Sequence, residues 1–189
     1  DLIQPGQILF DLTVEEVYDS NAFDTSTNPQ HDFITIIVPG LAVELAEENT
    51  SLSLRYTPEI QLYARSPENN QVNHALRFAT SWDATPGLRL FLRNSLLITD
   101  QTAQQASPLG IGQPGQQQTI QNDLSPGMEV RLGPQDSLLV EYRNIFIDEA
   151  EGNERLINGG RLGWRHDLPQ GGLNLTYEGA YVDRETEGD

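Results

Sequence analysis

Apolar and polar residues alternate along most of this chain, and each alternating run is longer than the five or six residues of an ordinary strand. In residues 51–64 the apolar set is Leu52, Leu54, Tyr56, Pro58, Ile60 and Leu62. Successive side chains of a strand point to opposite faces of its sheet. The pattern therefore predicts a long strand with one apolar face and one polar face.

Nine segments alternate in this way, each about ten to fourteen residues long, which is a length typical of membrane-spanning strands. The segments are 8–18, 33–46, 51–64, 74–83, 88–99, 120–132, 137–148, 156–168 and 173–182. Helix-forming composition occurs only in 42–49, and Leu41, Val43 and Leu45 alternate there with period two, so we interpret it as the end of a strand. The predicted fold class is all-β.

The connections between these segments form two groups that alternate along the chain. Tight turns are predicted at 47–51, 83–87, 133–137 and 169–172. Longer polar links occupy 19–32, 66–73, 100–119 and 148–155. Short turns at one end of the strands and long loops at the other are typical of outer-membrane barrels. We therefore predict an antiparallel up-and-down meander of long hairpins that forms an outer-membrane-type β-barrel.

The strand number bears on whether this barrel is complete. Bacterial barrels contain an even number of strands, whereas the alternation predicts nine. The sequence also begins with Asp1 rather than Met, so we expect a processed or trimmed chain. We predict a single β-barrel domain over residues 1–189, or the N-terminal part of a larger barrel, without a separate second domain.

Charged residues recur near the middle of the polar faces. In a barrel these side chains line the lumen, where they pair across strands, whereas in a soluble sandwich they are ordinary surface charges. The predicted lumen-lining residues are Arg55, Glu59, Arg77, Arg89, Arg93, Glu129, Arg131, Glu141 and Arg143.

Aromatic residues provide a second indication of a membrane. Tyr and Trp collect at the depth of the lipid headgroups, with the ring in the apolar layer and the polar tip in water. Trp82 and Trp164 each precede a tight turn, which predicts that both lie at the periplasmic interface; the alternative is that they are core residues near turns. The predicted interfacial aromatic residues are Tyr56, Trp82, Tyr142, Trp164, Tyr177 and Tyr181.

Composition excludes several classes of protein. Hydrophobic residues make up 37% of the chain, and no run approaches the eighteen or so apolar residues of a membrane helix. The net charge of -17 repels phosphate backbones, so we expect no nucleic-acid partner. The absence of cysteine excludes disulfides and thiolate metal sites, and suits either a reducing compartment or a Gram-negative envelope protein.

Few residues carry recognisable chemistry. The histidines His31, His74 and His166 have no metal-binding spacing, and the chain contains no nucleophile elbow, phosphate-binding loop or dinucleotide fingerprint. We therefore predict that the protein is not an enzyme and requires no cofactor. Calcium is the one candidate metal, at Asp19, Asn21 and Asp24, since carboxylates and amides at alternating spacing suit a hard cation; solvated loop acids are the alternative.

The N-terminal half contains a Tyr-Asp-x-Asn-x-Phe loop, an Asp-Phe-Ile…Pro-Gly-Leu strand and a Leu-x-Leu-x-Tyr strand: Tyr18, Asp19, Asn21, Phe23, Asp32, Phe33, Ile34, Pro39, Gly40, Leu41, Leu52, Leu54 and Tyr56. With these motifs it resembles a known family, the outer-membrane β-barrel proteins associated with exopolysaccharide and exosortase (PEP-CTERM) genes. The resemblance covers the chain to about residue 100 and is generic beyond it. It implies an outer-membrane location and involvement in polysaccharide export.

These observations predict a passive pore or scaffold in the outer membrane of a Gram-negative bacterium, serving exopolysaccharide export. Its expected partners are outer-membrane lipid and lipopolysaccharide, together with polysaccharide and proteins of the export machinery. One alternative is a soluble or secreted all-β structural protein, a sandwich or a filament subunit that assembles through strand edges. Another is a surface carbohydrate-binding module in which Trp82 and Trp164 stack on sugars.

Overall fold

The computed structural model of the protein describes residues 6–22, 29–99, 118–149 and 153–186. These residues form nine β-strands and one short 3-10 helix, Pro67–Asn69. The strands are β1 Gln7–Asp19, β2 Asp32–Ala46, β3 Thr50–Tyr63, β4 Gln71–Thr85, β5 Leu88–Thr99, β6 Thr119–Arg131, β7 Asp136–Glu149, β8 Asn153–Leu168 and β9 Gly171–Thr186.

All nine strands belong to one sheet in the order of the sequence, and each pairs antiparallel with the next. The predicted all-β, up-and-down meander is thus confirmed. The closed barrel is not confirmed, because within the described residues β1 and β9 are the two edges of the sheet and pair with no further strand. In the described part of the chain, no helix has the length and apolar character that a membrane crossing requires.

The strands extend further into polar sequence than the alternation predicts. β4 begins at Gln71 rather than at residue 74, and β7 and β8 leave only 150–152 between them, where a longer polar link was expected. The reason is that the ladder is built from backbone hydrogen bonds, which continue through Asn, Gln and Glu once a neighbouring strand is aligned. The segment 42–49 behaves as expected, since β2 continues to Ala46.

Three prolines lie inside strands without displacing the register. The pairing of β2 with β3 stops at Ile37↔Ile60 and resumes at Leu41↔Tyr56, on either side of Pro39 and Pro58. A similar interruption surrounds Pro126 in β6. Proline has no N–H to donate to the ladder, so local pairing is lost, while the cross-strand side chains on both sides hold the same alignment.

The connections are sorted between the two ends of the sheet. The turns 47–49, 86–87, 132–135 and 169–170 lie at one end, which we call the turn end. The strand ends that flank 20–31, 64–70, 100–118 and 150–152 lie at the other, the loop end. In any up-and-down meander, successive connections lie at alternate ends of the sheet. The loop-end connections are longer than the turns, as the sequence predicts, for all but 150–152.

The register places residues of one parity on each face along the whole sheet. One face, which we call the convex face, carries the apolar alternating sets, including Leu12, Leu54, Leu90, Leu162 and Leu175. The opposite face carries the polar sets and surrounds a cavity, and we call it the concave face. A one-residue slip in any pair of strands would exchange the two sets, so the alternation and the register support each other.

The buried residues of the sheet lie on the concave face and not on the apolar convex face. Every buried strand residue among those described has the parity of the concave face, including Ile34, Ala42, Gln61, Gln71 and Ser125. A small cluster of Ile34, Ile36 and Tyr63 is the buried hydrophobic core. Most large exposed apolar side chains lie on the convex face, which is the reverse of the arrangement in a sheet of a soluble protein.

Candidate functional site

The concave face surrounds a cavity of about 720 Å³. Ser53 of β3 and Ala180 of β9 both line it, so the sheet is curved enough for side chains six strands apart to border one space. Ligand pockets in proteins commonly have volumes of roughly 300 to 1,000 Å³. The cavity therefore has room for a solute larger than a single small ion.

The concave face holds the positive charge of the sheet. The chain contains eleven basic residues, all arginine, against 28 acidic ones. Strand arginines with a described side chain all have the parity of this face: Arg55, Arg77, Arg89, Arg93, Arg131, Arg143, Arg155, Arg161 and Arg165. The nine residues that the sequence predicts as lumen-lining, including the acids Glu59, Glu129 and Glu141, share this parity.

Around the cavity, arginines pair with acids on neighbouring or next-neighbouring strands. A guanidinium nitrogen of Arg93 lies 2.8 Å from Oε1 of Glu141, so this pair spans β6. The Nε atom of Arg143 donates to Oδ2 of Asp123 at 3.0 Å. At the outer strands, Arg161 on β8 lies 3.1 Å from Glu178 on β9. The first two pairs connect β5, β6 and β7 through side chains, and the third connects the directly opposite residues of β8 and β9.

Glu141 is the most enclosed member of this network. Its side chain is 10% exposed, whereas that of Arg93 is 54% exposed. One carboxylate oxygen of Glu141 accepts from Arg93, while the other, Oε2, is buried and has no hydrogen-bond partner in the described structure. Arg93 also lies over the ring of Phe91, with its guanidinium carbon 4.9 Å from the ring centroid. This stacking holds the guanidinium plane of Arg93 beside the cavity.

Two small residues of β6 leave room for the Arg93–Glu141 contact that crosses this strand. A Cβ atom on Gly127 would lie 2.3 Å from Cζ of Phe91, so the aromatic ring occupies the space that a side chain would fill. Ser125 is buried and donates to Oδ1 of Asp123 at 3.2 Å. Larger side chains at these two positions would separate Arg93 from Glu141.

Sequence reasoning did not place three members of the network among the lining residues. Asp123, Arg161 and Glu178 lie on the polar face by alternation, but ion pairing depends on which strands become neighbours and how the sheet curves. The recurrence of Arg and Glu on successive polar faces was the available signal. This recurrence identified a charged face but not which residues form ion pairs with each other.

A second recess of the concave face lies at the turn end, with a volume of about 690 Å³. Arg89 and Asp83 line it and form an ion pair with a shortest distance of 2.6 Å. Glu129 and Arg131 line the same recess. Glu48 also lines the recess, so three acids lie against two arginines, and the close Arg89–Asp83 pair indicates a structural contact between neighbouring strands.

A buried polar network lies at the loop end of the concave face. Nε2 of Gln71 donates to Oε1 of Gln61 at 2.7 Å, and Nε2 of Gln61 donates to Glu59 at 2.8 Å. Asp32 is fully buried and accepts from the backbone N–H of Arg65 at 2.9 Å. The alternation marks these residues as polar, and only the curvature of the sheet makes them interior.

The aromatic residues that the sequence predicts as interfacial all have the parity of the convex face: Tyr56, Trp82, Tyr142, Trp164, Tyr177 and Tyr181. Trp82 and Trp164 lie near the turn end of their strands. Tyr56 and Tyr142 instead lie near mid-strand, where the hydroxyl of Tyr56 is 2.8 Å from Nδ1 of His74. The predicted girdle therefore has one pair of tryptophans at the turn end and tyrosines at several depths.

The convex face also carries asparagines whose amides bond to each other. Nδ2 of Asn94 donates to Oδ1 of Asn122 at 2.8 Å, and Nδ2 of Asn144 donates to Oδ1 of Asn158 at 2.9 Å. The hydroxyl of Tyr142 also donates to Asn158. Polar groups on an apolar surface satisfy one another in this way where no water competes.

The predicted calcium residues are only partly within the described structure. Asp24 lies outside the described residues, and Oδ1 of Asp19 accepts from the backbone N–H of Asn21 at 2.8 Å. Across the described ranges, no group of three or more His, Asp or Glu side chains is arranged to hold a metal ion. The three histidines lie apart, against Arg65, Tyr56 and Asp136. Calcium binding by the 19–24 segment stays a prediction.

Comparisons with known proteins identify no relative of this chain. No protein-family model matches it, and neither the curated proteins nor the solved structures contain a significant match. The physical arrangement of the two faces is therefore the basis for a functional conclusion.

Proposed function

We propose that this sheet is the wall of an outer-membrane-type β-barrel, with lipid on the convex face and an aqueous passive pore along the concave face. The observation that carries the proposal is the inverted burial of the sheet. Leu12 and Leu175 on the convex face are 65% and 67% exposed, whereas Gln61 and Asp32 on the concave face are 0% exposed. Barrels in lipid have this arrangement, with apolar residues outside and polar residues inside.

The apolar surface extends over the whole width of the convex face. This extent supports a continuous layer of lipid in contact with that face. Exposed aromatic and aliphatic side chains occur on the convex face from β1, with Phe10 at 75%, to β9, with Tyr177 at 73%. Each Å² of apolar surface left in water costs about 25 cal/mol, and soluble monomers rarely expose such large patches. Within the described residues the nine strands form a single sheet, so a sandwich made by this chain alone does not supply the cover.

Two further features agree with lipid as that cover. The paired amides of Asn94, Asn122, Asn144 and Asn158 satisfy polar groups that would otherwise face hydrocarbon. Arginine is absent from the convex face among the described strand residues, while acids occur there near the strand ends, as at Asp136 and Asp148. A charge at the centre of a bilayer is costly, and one near the interface is much less so.

A functional barrel requires that the edges β1 and β9 be paired, either with each other or through additional strands. An unpaired edge in hydrocarbon leaves several backbone groups without partners, at a cost of several kcal/mol each. The proposed pore is therefore the lumen of the closed form. Its charge pattern combines arginines with acids, which suits passage of polar solutes more than rejection of one charge.

The suggested role in exopolysaccharide export comes from the N-terminal resemblance, which includes Tyr18, Asp19, Asn21 and Phe23. From this resemblance we propose polysaccharide as the transported solute. We also propose lipopolysaccharide and proteins of the export machinery as its neighbours in a Gram-negative outer membrane.

The proposal is tested by expressing the chain with an outer-membrane signal peptide and by refolding it into phospholipid vesicles. We expect extraction only with detergent, flotation with vesicles and a faster gel mobility before boiling than after it. Dispersion without detergent together with no vesicle binding would reject the lipid assignment. Fibres formed in detergent-free buffer would support the alternative of a filament subunit that joins through β1 and β9.

A further inference from the structure

Two arginines of the concave face occupy directly opposite positions on neighbouring strands. Arg55 of β3 and Arg77 of β4 are cross-strand partners, and both side chains are exposed on the cavity side. Opposite residues in an antiparallel pair have Cβ atoms about 4.5 to 5.5 Å apart, and like charges in this arrangement are destabilising. The sheet therefore retains a repulsive contact that an Arg–Ser or Arg–Glu pair would avoid.

In the described part of the chain, neither arginine is paired with an acid. Arg93, Arg143 and Arg161 each form an ion pair with a carboxylate on the same face. Arg55 and Arg77 form none within the described residues, and neither has any other polar side-chain contact there. The acid two positions from Arg55 across the strand pair, Glu44, already accepts a hydrogen bond from Ser53 at 2.6 Å.

Small residues occupy the register positions next to the two arginines. Ala42 lies opposite Arg55 on β2, and Ser95 lies opposite Arg77 on β5. Along β4 the neighbours of Arg77 on the same face are Ala75 and Ala79. Arg77, Ala79 and Ser95 line the cavity of about 720 Å³, and so does Ser53, the same-face neighbour of Arg55 on β3. An approaching solute meets two unpaired cations and few steric obstacles.

We propose that Arg55 and Arg77 form an oxyanion site that binds a carboxylate, sulfate or phosphate group of a solute held in the cavity. A guanidinium presents N–H donors in a planar fork that matches the oxygens of these groups, and two such forks hold one anion from both sides. An anion between them converts the repulsion into two charge-assisted contacts. The hydroxyl of Ser95 is available as an additional donor.

The site is unusual for this protein because the whole chain carries a net charge of -17. Long-range electrostatics therefore repel anions, and binding has to depend on the local pair. A site of this kind discriminates by contact geometry, and its affinity falls as salt screens the charges. The proposal does not depend on lipid covering the convex face, because the site lies on the opposite side of the sheet.

The test measures binding by the full chain purified in detergent, using isothermal titration with four probes. These are trigalacturonate as a carboxylated solute, inorganic sulfate, inorganic phosphate and neutral maltotriose. The variants are Arg55→Gln, Arg77→Gln and the double substitution. Arg165→Gln is the matched control, since Arg165 has the same face but is paired with Asp167 at the turn end.

We expect saturable binding of at least one anionic probe and none of maltotriose. Each single substitution should weaken binding about three- to tenfold and the double substitution at least tenfold, while Arg165→Gln changes it less than twofold. Preference for trigalacturonate would assign the site to carboxylated solutes, and preference for sulfate or phosphate to those ions. No saturable anion binding, or an equal loss in Arg165→Gln, would overturn the proposal.

Thermal unfolding of the same samples separates binding from folding. Without anion, the double variant should unfold at or above the wild-type temperature, because the like-charge contact is gone. The bound anion should raise the unfolding temperature of the wild type and of Arg165→Gln but not of the double variant. A double variant that is destabilised without anion would show that the two arginines are structural, and would also overturn the proposal.

Discussion

The concave and convex faces belong to the same nine strands, yet they differ in what stabilises them. On the concave face, side chains meet other side chains: Ile34 packs in a fully buried cluster, and Glu141 is enclosed by its ion pair. On the convex face, large apolar residues such as Leu12, Leu175 and Tyr177 remain exposed. The sheet buries its polar side within itself and leaves its apolar side for the surroundings.

This difference shows that hydrophobicity alone does not decide which face of a sheet becomes interior. Curvature does, because side chains on the inside of a curved sheet converge and those on the outside diverge. Once the sheet is curved with its arginines inward, Arg93, Arg143 and Arg161 each find an acid within reach. The apolar outer side chains then require contact with something other than water.

The largest expected effect tests whether the concave face is a packed interior. Ile34→Ala removes a side chain that is 0% exposed, and we expect a loss of about 2 to 5 kcal/mol in the free energy of unfolding, from lost burial and from the cavity left behind. Urea denaturation of the refolded protein measures it. Leu12→Ala on the convex face, 65% exposed, should cost clearly less, because it leaves no cavity between protein atoms. Equal losses would contradict the distinction between the faces.

The next effect distinguishes lipid from water on the convex face. Leu54→Arg should cost about 2 to 4 kcal/mol in vesicles, because Leu54 lies well inside β3, whereas Leu90→Arg should cost about 1 kcal/mol or less, because Leu90 pairs with Trp82 near the turn end. The measurement is unfolding of protein refolded into phospholipid vesicles.

Leu97→Arg is the matched control for that substitution. Leu90 and Leu97 both belong to β5 and are both 37% exposed, but they have opposite parity. Since Leu97 lies on the concave face, its substitution should change the free energy of unfolding by about 0.5 kcal/mol or less. Similar values for Leu54→Arg and Leu97→Arg in vesicles would remove lipid as the environment of the convex face.

A third prediction compares two glycines. Gly127→Ala places a Cβ atom 2.3 Å from the ring of Phe91 and 2.8 Å from the carbonyl oxygen of Val140, so we expect a loss of about 1 to 3 kcal/mol. Gly160→Ala on the convex face has as its nearest contact the carbonyl oxygen of Glu141, at 4.0 Å, and should be neutral or slightly stabilising. Thermal unfolding of both variants in detergent provides the check. A neutral Gly127→Ala would show that Phe91 moves away at no cost.

The smallest expected effect concerns ion pairs within the concave face. Glu141→Gln removes the charge that pairs with Arg93, and the loss should be about 1 kcal/mol, because Arg93 itself is half exposed to solvent. Glu178→Gln breaks the pair with Arg161, in which both side chains are largely exposed, and should be close to neutral. Chemical denaturation at low and at high salt measures both. A larger loss for Glu178→Gln than for Glu141→Gln would show that exposure does not rank these pairs.

Much of the fold follows from alternation, because period-two patterning and turn residues are local properties. The number of strands, their order and the face of each residue in β3 and β5 follow from segments 51–64 and 88–99 together with their turns. Strand ends are less well predicted, as at Gln71 and Asn153, since backbone pairing continues through polar residues. The charged face was predicted, but its ion pairs were not, because Arg93 and Glu141 belong to strands separated by β6.

The sequence by itself determined a nine-stranded all-β meander with one apolar and one polar face, since these properties depend on neighbouring residues and on turns. Only the tertiary structure decided that the polar face is the inside of the curve, that Glu141 and Gln61 are buried, and that Arg55 lies opposite Arg77 with no acid paired to either among the described residues. Curvature and pairing bring together residues far apart in the chain. No local pattern specifies how closely they approach.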